Sequence, residues 1–349
     1  MKGRSVIIDH ASGRTAAALV VNGRLQDLLF DPVDDAPRPG AIFRAVADRP
    51  VKGAGGMLLR LGGGARGLLK AGKGVTPGQK MLVQISTRPE EGKAATVTTR
   101  LLFKSRYAIV TPGAPGLNVA RSIRGEDERE RLQEVAFEAM RGKDSTGLIL
   151  RTACENVDGP VIAADIADML DRCAAALNAA GGQGPALVQQ APSASQLAWR
   201  DWVEPEPDEV VQQDGSFDSH GVWDLIEDLR TPHVPLSPHA HMAVEVTRAL
   251  VAVDVNTGGD FSHSAGLKAN LAAAKDLPRQ LRLRGLGGQI VIDFAPMRKN
   301  DRRTIENALR AALKGDGVDT TLVGWTPLGH LELQRKRERA PLDQLLTNL

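Results

Sequence analysis

The sequence contains only two cysteines, Cys154 and Cys173, among 349 residues. That is too few for a disulfide scaffold or a four-thiolate zinc site. Aromatic residues make up 3%, which argues against extensive stacking of bases on aromatic side chains. No apolar run approaches the ~18 residues of a membrane span. The start, MKGRSVIIDHASG, lacks the long apolar core of a signal peptide. Neither sign of charge dominates: Lys plus Arg is 44, Asp plus Glu is 42, and the net charge is +2. A nucleic-acid surface would therefore be a local patch and not a global excess. The glycine runs GAGG (53–56) and LGGGARG (61–67) match neither dinucleotide nor P-loop fingerprints and read as turns. The histidines, His239, His241 and His263 among them, show no HExxH or Cys/His zinc spacing, and no GxSxG supports a serine triad. Secreted disulfide-rich, membrane and fibrous classes are excluded, and a cytoplasmic location is the expectation.

What is present is a globular composition, 42% apolar and 25% charged, in a chain long enough for two or three domains. The segment 15–30 reads as two strands joined at Val21-Asn22-Gly23, a hairpin turn. Short, closely spaced apolar stretches over 40–102 predict a small barrel, for which an oligonucleotide-binding barrel is one candidate. Helical periodicity marks Glu126 to Met140 and Ile162 to Ala179. DEVVQQDG reads as an edge strand and GVWDLIEDLR as a short helix. From 241 onward the pattern is strand (Ala249 to Val253), helix (about 265–284), strand (Gln289 to Ile292), helix (about 300–314) and strand (TTLVGW), then a basic helix. That alternation predicts an α/β layer with a largely covered sheet.

Two aspartates stand at strand ends: Asp254 follows ALVAV and Asp293 follows IVI. Functional residues of open α/β sheets lie at the carboxyl ends of strands. Two carboxylates on adjacent strands form a hard-oxygen site of the kind Mg²⁺ takes, together with waters and phosphate oxygens. Asn256, two residues on, shares a face with Asp254. The commoner use of a strand-ending aspartate is to cap a turn, and DVNTG fits that as well. Basic residues cluster around the pair: Arg279, Arg282, Arg284, then Arg298, Lys299, Arg302, Arg303, then Arg335, Lys336, Arg337, Arg339. They suit a phosphate backbone, or else a solvated helix face. In GLILRTA, Arg151 and Thr152 leave a buried strand with a guanidinium and a hydroxyl, either a phosphate pocket or a structural pair.

Together these residues resemble the ribonuclease E/G family. ALVAVDVNTG (249–258), NLAAA (270–274), RQLRLRGLGGQIVIDF (279–294), ENALRAAL (306–313) and LGHLELQRKR (328–337) follow that family's order and spacing. The resemblance implies an α+β multidomain chain. An RNase H-like subdomain (1–36 and 197–230) would carry an inserted OB-fold RNA-binding domain (37–100) and a 5′-sensor-like domain (101–196). A DNase I-like α/β catalytic domain (231–349) would follow. It also implies a Mg²⁺-dependent endoribonuclease acting on single-stranded RNA, leaving 5′-phosphate and 3′-hydroxyl ends and preferring 5′-monophosphorylated substrates. Asp254 and Asp293 match the metal-ligating aspartates, and Asn256 the asparagine that supports them. Arg151 and Thr152 match the 5′-phosphate pair, with Ile109 packed beside them, and Lys93 matches a basic RNA contact.

The chain departs from the family at several positions. Leu58 and Leu68 stand where the family has RNA-contacting phenylalanines. Arg248 and Ala272 replace glutamates, and Pro296 stands at an often acidic position. Pro278 is expected to kink or restart the helix that leads to Arg279. There is no CPxC segment, so a zinc-linked dimer is not expected. These departures motivate a second reading, a catalytically weak or inactive RNA-binding protein that retains the fold.

Overall fold

The computed structural model describes residues 2–11, 13–32, 34, 36–51, 55–70, 72, 74–89, 92–260, 262 and 264–347. His263, together with Gly53 and Ala54 of the GAGG run, lies outside the described residues. The fold is mixed α+β and divides into two compact units, Met1–Val33 with Pro207–Leu349, and Asp34–Glu206.

The chain opens with three antiparallel strands, β1 (Arg4–Ala11), β2 (Arg14–Val21) and β3 (Arg24–Phe30). The β2–β3 turn has Asn22 at φ 50° and Gly23 at φ 75°. Two left-handed residues give the hairpin the twist its strands need, as the Asn-Gly pair predicts.

In the second unit, β4 (Ile42–Val51), β5 (Gly56–Gly62), β6 (Ala65–Leu69), β7 (Lys80–Thr87) and β8 (Ala95–Thr98) pair in the order β4-β5-β6-β8-β7. Strand β7 returns to β4, closing a five-stranded barrel. Closure removes the sheet edges that strands this short would otherwise expose. A second sheet follows: β9 (Phe103–Lys104), β10 (Ala108–Pro112), β11 (Gly116–Val119) and β12 (Thr146–Leu150), with α1 (Glu126–Ala139) and α2 (Gly159–Asn178) packed on it. Leu132 and Ala136 of α1 and Ile162, Ile166, Met169 and Cys173 of α2 fill its core, as their helical spacing requires. Strand β13 (Ala186–Gln189) pairs back on β4, and α3 (Ala194–Asp201) starts from a Ser193/Gln196 capping box.

Back in the first unit, β14 (Glu209–Gln212) lies parallel to β1 at the sheet edge. Helices α4 (Ser216–Ser219) and α5 (Val222–Glu227) pack Phe217, Val222 and Ile226 against that sheet. The last sheet comprises β15 (His233–Pro235), β16 (His241–Val246), β17 (Val251–Asn256), β18 (Gly288–Asp293), β19 (Thr320–Trp325) and β20 (Leu331–Arg335), in the order β15-β16-β17-β18-β20-β19. Helix α6 (Ala265–Leu283) connects the parallel pair β17–β18, α7 (Arg302–Lys314) lies beside it, and α8 (Leu342–Leu346) closes the chain.

Three expectations are corrected here. Both α6 and α7 contribute to one core under the sheet, so the sheet has one covered and one open face, not two covered ones. The basic stretch after TTLVGW is a strand: Leu331, Leu333 and Arg335 are buried in a period of two. Helix α6 does not restart at Pro278 but continues through it to Leu283. Its last turn is held from outside the backbone ladder: Arg279 and Gln280 both donate to Asp276, and Arg279 also reaches the Leu25 carbonyl. Tertiary contacts of this kind override a local propensity. Among the described residues no helix is long and apolar enough to cross a membrane.

Candidate active site

Strand β17 buries Val251, Val253 and Val255 in the core, so Ala252, Asp254 and Asn256 stand on the open face. Strand β18 buries Ile290 and Ile292 and presents Val291 and Asp293 on the same side. The parallel register pairs Asp254 directly with Asp293. Two carboxylates are thus neighbours on strands ~4.8 Å apart. Asn256 Nδ2 donates to Asp254 Oδ2 at 2.7 Å. The Asp293 side chain is 65% exposed, and its Oδ1 lies 3.8 Å from His330 Nε2.

Local packing fixes these positions. Asn270, buried in α6, accepts from the Ala295 N–H at 3.0 Å and donates to the Ala295 carbonyl at 2.9 Å. One turn earlier a Cβ on Gly266 would collide with the Pro296 carbonyl, so glycine lets the segment after Asp293 lie against the helix. Gly258, at φ 59°, plays a similar part after Asn256, where a Cβ would strike the His239 carbonyl. His330 is set by the β19–β20 turn: its N–H donates to Thr326 Oγ1 at 3.1 Å and its carbonyl accepts from the Thr326 N–H at 2.8 Å. Asn270 and His330 are the residues that sequence reasoning passed over.

The donor set suits a hard cation. Among the described residues no group of three or more His, Cys, Asp or Glu side chains is placed to hold a metal. Two solvent-facing carboxylates without thiolate ligands are hard oxygen donors, of the kind that take a divalent cation together with waters.

Much of the basic cluster, the arginines of α6 and those at and after β20, proves to be internal structure. Arg279 pairs with Asp276, and Arg284 is buried on the Leu229 and Thr231 carbonyls. Arg282 and Arg335 both bind Asp316, and Arg339 binds Asp27. Arg302 lies over the Trp325 ring at 4.5 Å. Arg298, Lys299 and Arg303, which follow Asp293 in the sequence, are exposed.

In the other unit Arg151 follows β12, and its N–H donates to the Tyr107 carbonyl. Its guanidinium donates to the Ser105 carbonyl and, at 2.9 Å, to Asp201 Oδ1. Burial pushes the Asp201 carboxyl up, but the Arg200 and Arg151 guanidinium groups outweigh it and hold the pKa below the ordinary value. Thr152 is exposed, with its hydroxyl 2.7 Å from that of Ser122. Ile109, on β10, is half-buried and pairs with Ile149, two residues before Arg151. On the barrel, Leu58 and Leu68 are half-buried and directly opposite each other, and Lys93 is exposed just before β8.

These features define a multidomain α+β protein that joins a barrel of the oligonucleotide-binding type to a paired-carboxylate site on an open sheet. A sequence model of the ribonuclease E/G family matches residues 103–216 and 208–338, and the chain belongs to that family. It is 31% identical over 309 residues to ribonuclease G of Salmonella typhimurium (strain SL1344), covering 78% of this chain and 63% of that protein. Ribonuclease G of Escherichia coli (strain K12) is 29% identical over the same shares. Ribonuclease E of a Nostoc species is 27% identical over 304 residues, covering 76% of this chain and 44% of that protein. The chain thus spans less than two thirds of the length of these relatives.

Proposed function

We propose that this chain is a Mg²⁺-dependent endoribonuclease that cuts single-stranded RNA and leaves 5′-phosphate and 3′-hydroxyl ends. The observation that carries this reading is the in-register pair Asp254 and Asp293 on an open sheet face, with Asn256 bonded to Asp254. Family membership supports it, and so do the names of the relatives.

Asp254 and Asp293 would hold the cation, and Asn256 orients Asp254 by donating to one of its oxygens. The bound ion supplies water activation and neutralises charge on the phosphate. Exposure on an open face lets an extended RNA strand lie across the site without unfolding any element of this unit. In the same reading the β1–β3 sheet with β14 is RNase H-like, the last sheet is DNase I-like, and the barrel with Lys93 contacts RNA. Arg151, Thr152 and Ile109 receive a 5′-monophosphate, which must then displace Asp201 from Arg151 or share the guanidinium with it.

The test is cleavage of a 5′-monophosphorylated single-stranded oligonucleotide with Mg²⁺ and with EDTA. We expect internal cuts that require Mg²⁺ and fall at least about a hundredfold in Asp254→Asn and in Asp293→Asn. Uncut RNA that still shifts on a gel would favour the RNA-binding reading. Unchanged cutting by both variants would remove the carboxylates from the mechanism.

A further inference from the structure

The open face carries a second feature beside the carboxylates. Strand β15 presents His233 and β16 presents His241 on the side opposite the buried Val234 and Met242. The two rings stack, with centroids 4.7 Å apart and planes 32° from parallel. His233 is exposed and His241 is partly so. By register His241 lies opposite Asn256, and His233 stands in one row with Ala243, Asp254 and Asp293. In that row Ala243, with a methyl side chain, stands between His233 and Asp254, and His241 lies beside it on the same strand. With strands ~4.8 Å apart, His233 lies ~10 Å from Asp254 along that row, and His241 is one strand from Asn256. A nucleotide flanking a phosphate at Asp254 and Asp293 reaches that far.

We propose that His233 and His241 form a stacking platform for an RNA base next to the scissile phosphate. The proposal rests on the nuclease reading, because it places RNA on this face. Histidine is among the side chains on which unpaired bases stack. Two rings already in contact lose little freedom when a base joins them. The other rings nearby serve elsewhere: Phe30, Phe217 and Trp223 pack on one another, and Phe294 and Trp325 pair within the covered core. On the open side His330 stands singly beside Asp293, whereas His233 and His241 are two rings in contact with each other.

The experiment measures fluorescence anisotropy of a labelled single-stranded RNA in EDTA, where nothing is cut, with the full chain. It compares wild type with His233→Ala, His241→Ala and His241→Phe. A parallel set of RNAs carries one abasic position, moved along the strand. We expect Kd to rise about five- to twentyfold in each alanine variant and to recover in His241→Phe, which keeps a ring without the imidazole nitrogens. Wild type should lose affinity at one abasic position near the cut, and His241→Ala should be indifferent to that same position. Thermal melts of the variants matching wild type would tie the losses to the surface and not to unfolding. Alanine variants that bind like wild type overturn the platform, as does a His241→Phe variant as weak as His241→Ala. Mg²⁺-dependent cutting by wild type separates the two readings: if it persists while the platform variants bind normally, only the platform fails. Absence of any RNA binding by wild type overturns both.

Discussion

Asn256 engages only one oxygen of Asp254, at 2.7 Å. A group that fixes a ligand's rotamer without itself holding the metal typically contributes a factor of about 10–100 in affinity or rate. Asn256→Ala is therefore expected to slow cleavage by about that factor and to raise the Mg²⁺ concentration needed for half-maximal rate. Single-turnover rates over a Mg²⁺ series check this, and a variant with the wild-type Mg²⁺ requirement would refute it. Arg151 supplies a contrasting case, because Asp201 already occupies it. Asp201 is held ionised below the ordinary aspartate range, so the contact persists at any pH above about 4. Asp201→Asn removes the competing charge and is expected to raise the preference for 5′-monophosphate over 5′-hydroxyl RNA by about tenfold, read as the ratio of cleavage rates. The carboxylate pair was legible in the sequence because both aspartates end apolar runs of strand length. Asp201 was not, since it reaches Arg151 from a separate helix 50 residues on and no spacing announces the contact. His330 and Asn270 stayed hidden for the same reason.

The basic runs show why charge in a sequence resists reading. Arg282, Arg335 and Arg339 come from α6, β20 and the segment after it, and they converge on Asp27 and Asp316 inside the first unit. Arg335 is 1% exposed, and its Nε and Nη2 have no hydrogen-bond partner among the described residues. Its charge thus rests on Asp316, with Thr320 Oγ1 accepting a further bond at 2.8 Å. Breaking such a pair leaves a buried charge uncompensated, so Asp316→Asn is expected to cost about 3–5 kcal/mol, measured as a shift in the urea midpoint. Asp27 adds a pH dependence. Burial raises its pKa, but Arg339 and Arg282 outweigh that and leave it lowered. Its contribution is therefore complete above the unfolded value of about 3.9 and is lost as pH falls through the lower folded value. Urea midpoints measured from pH 5 downward should fall, and Asp27→Asn should flatten part of that fall. The helices α5, α6 and α7 and most strands of this unit followed from periodicity. What periodicity could not supply was the partner of each arginine, and so a buried clamp looked like a surface run. The same gap turned β20 into an expected helix, because Arg335 points inward where charge ordinarily points out.

Across the whole chain, 44 basic and 42 acidic residues leave a net charge of +2. If the basic runs near Asp293 formed a phosphate track, binding would release many counterions and weaken steeply with salt. Instead Arg279, Arg282, Arg284, Arg335 and Arg339 are committed to internal partners. The basic residues left exposed in the segment just after Asp293 are Arg298, Lys299 and Arg303, a small number for a strand of phosphates. Contacts to about three or four phosphates predict a slope of log K against log salt near −2 to −3 for single-stranded RNA. Titrations in EDTA over about 50–400 mM KCl measure it directly. A slope steeper than about −5 would require more basic contacts than Arg298, Lys299 and Arg303 supply, and would extend the binding surface beyond the segment after Asp293. A shallow slope together with tight binding would mean that affinity comes from contacts insensitive to salt. In EDTA the open face offers the His233 and His241 rings for such contacts. Repeating the series with Mg²⁺ in place of EDTA measures what a cation at the proposed carboxylate site adds to that affinity, and the difference between the two series separates it from the contribution of the rings.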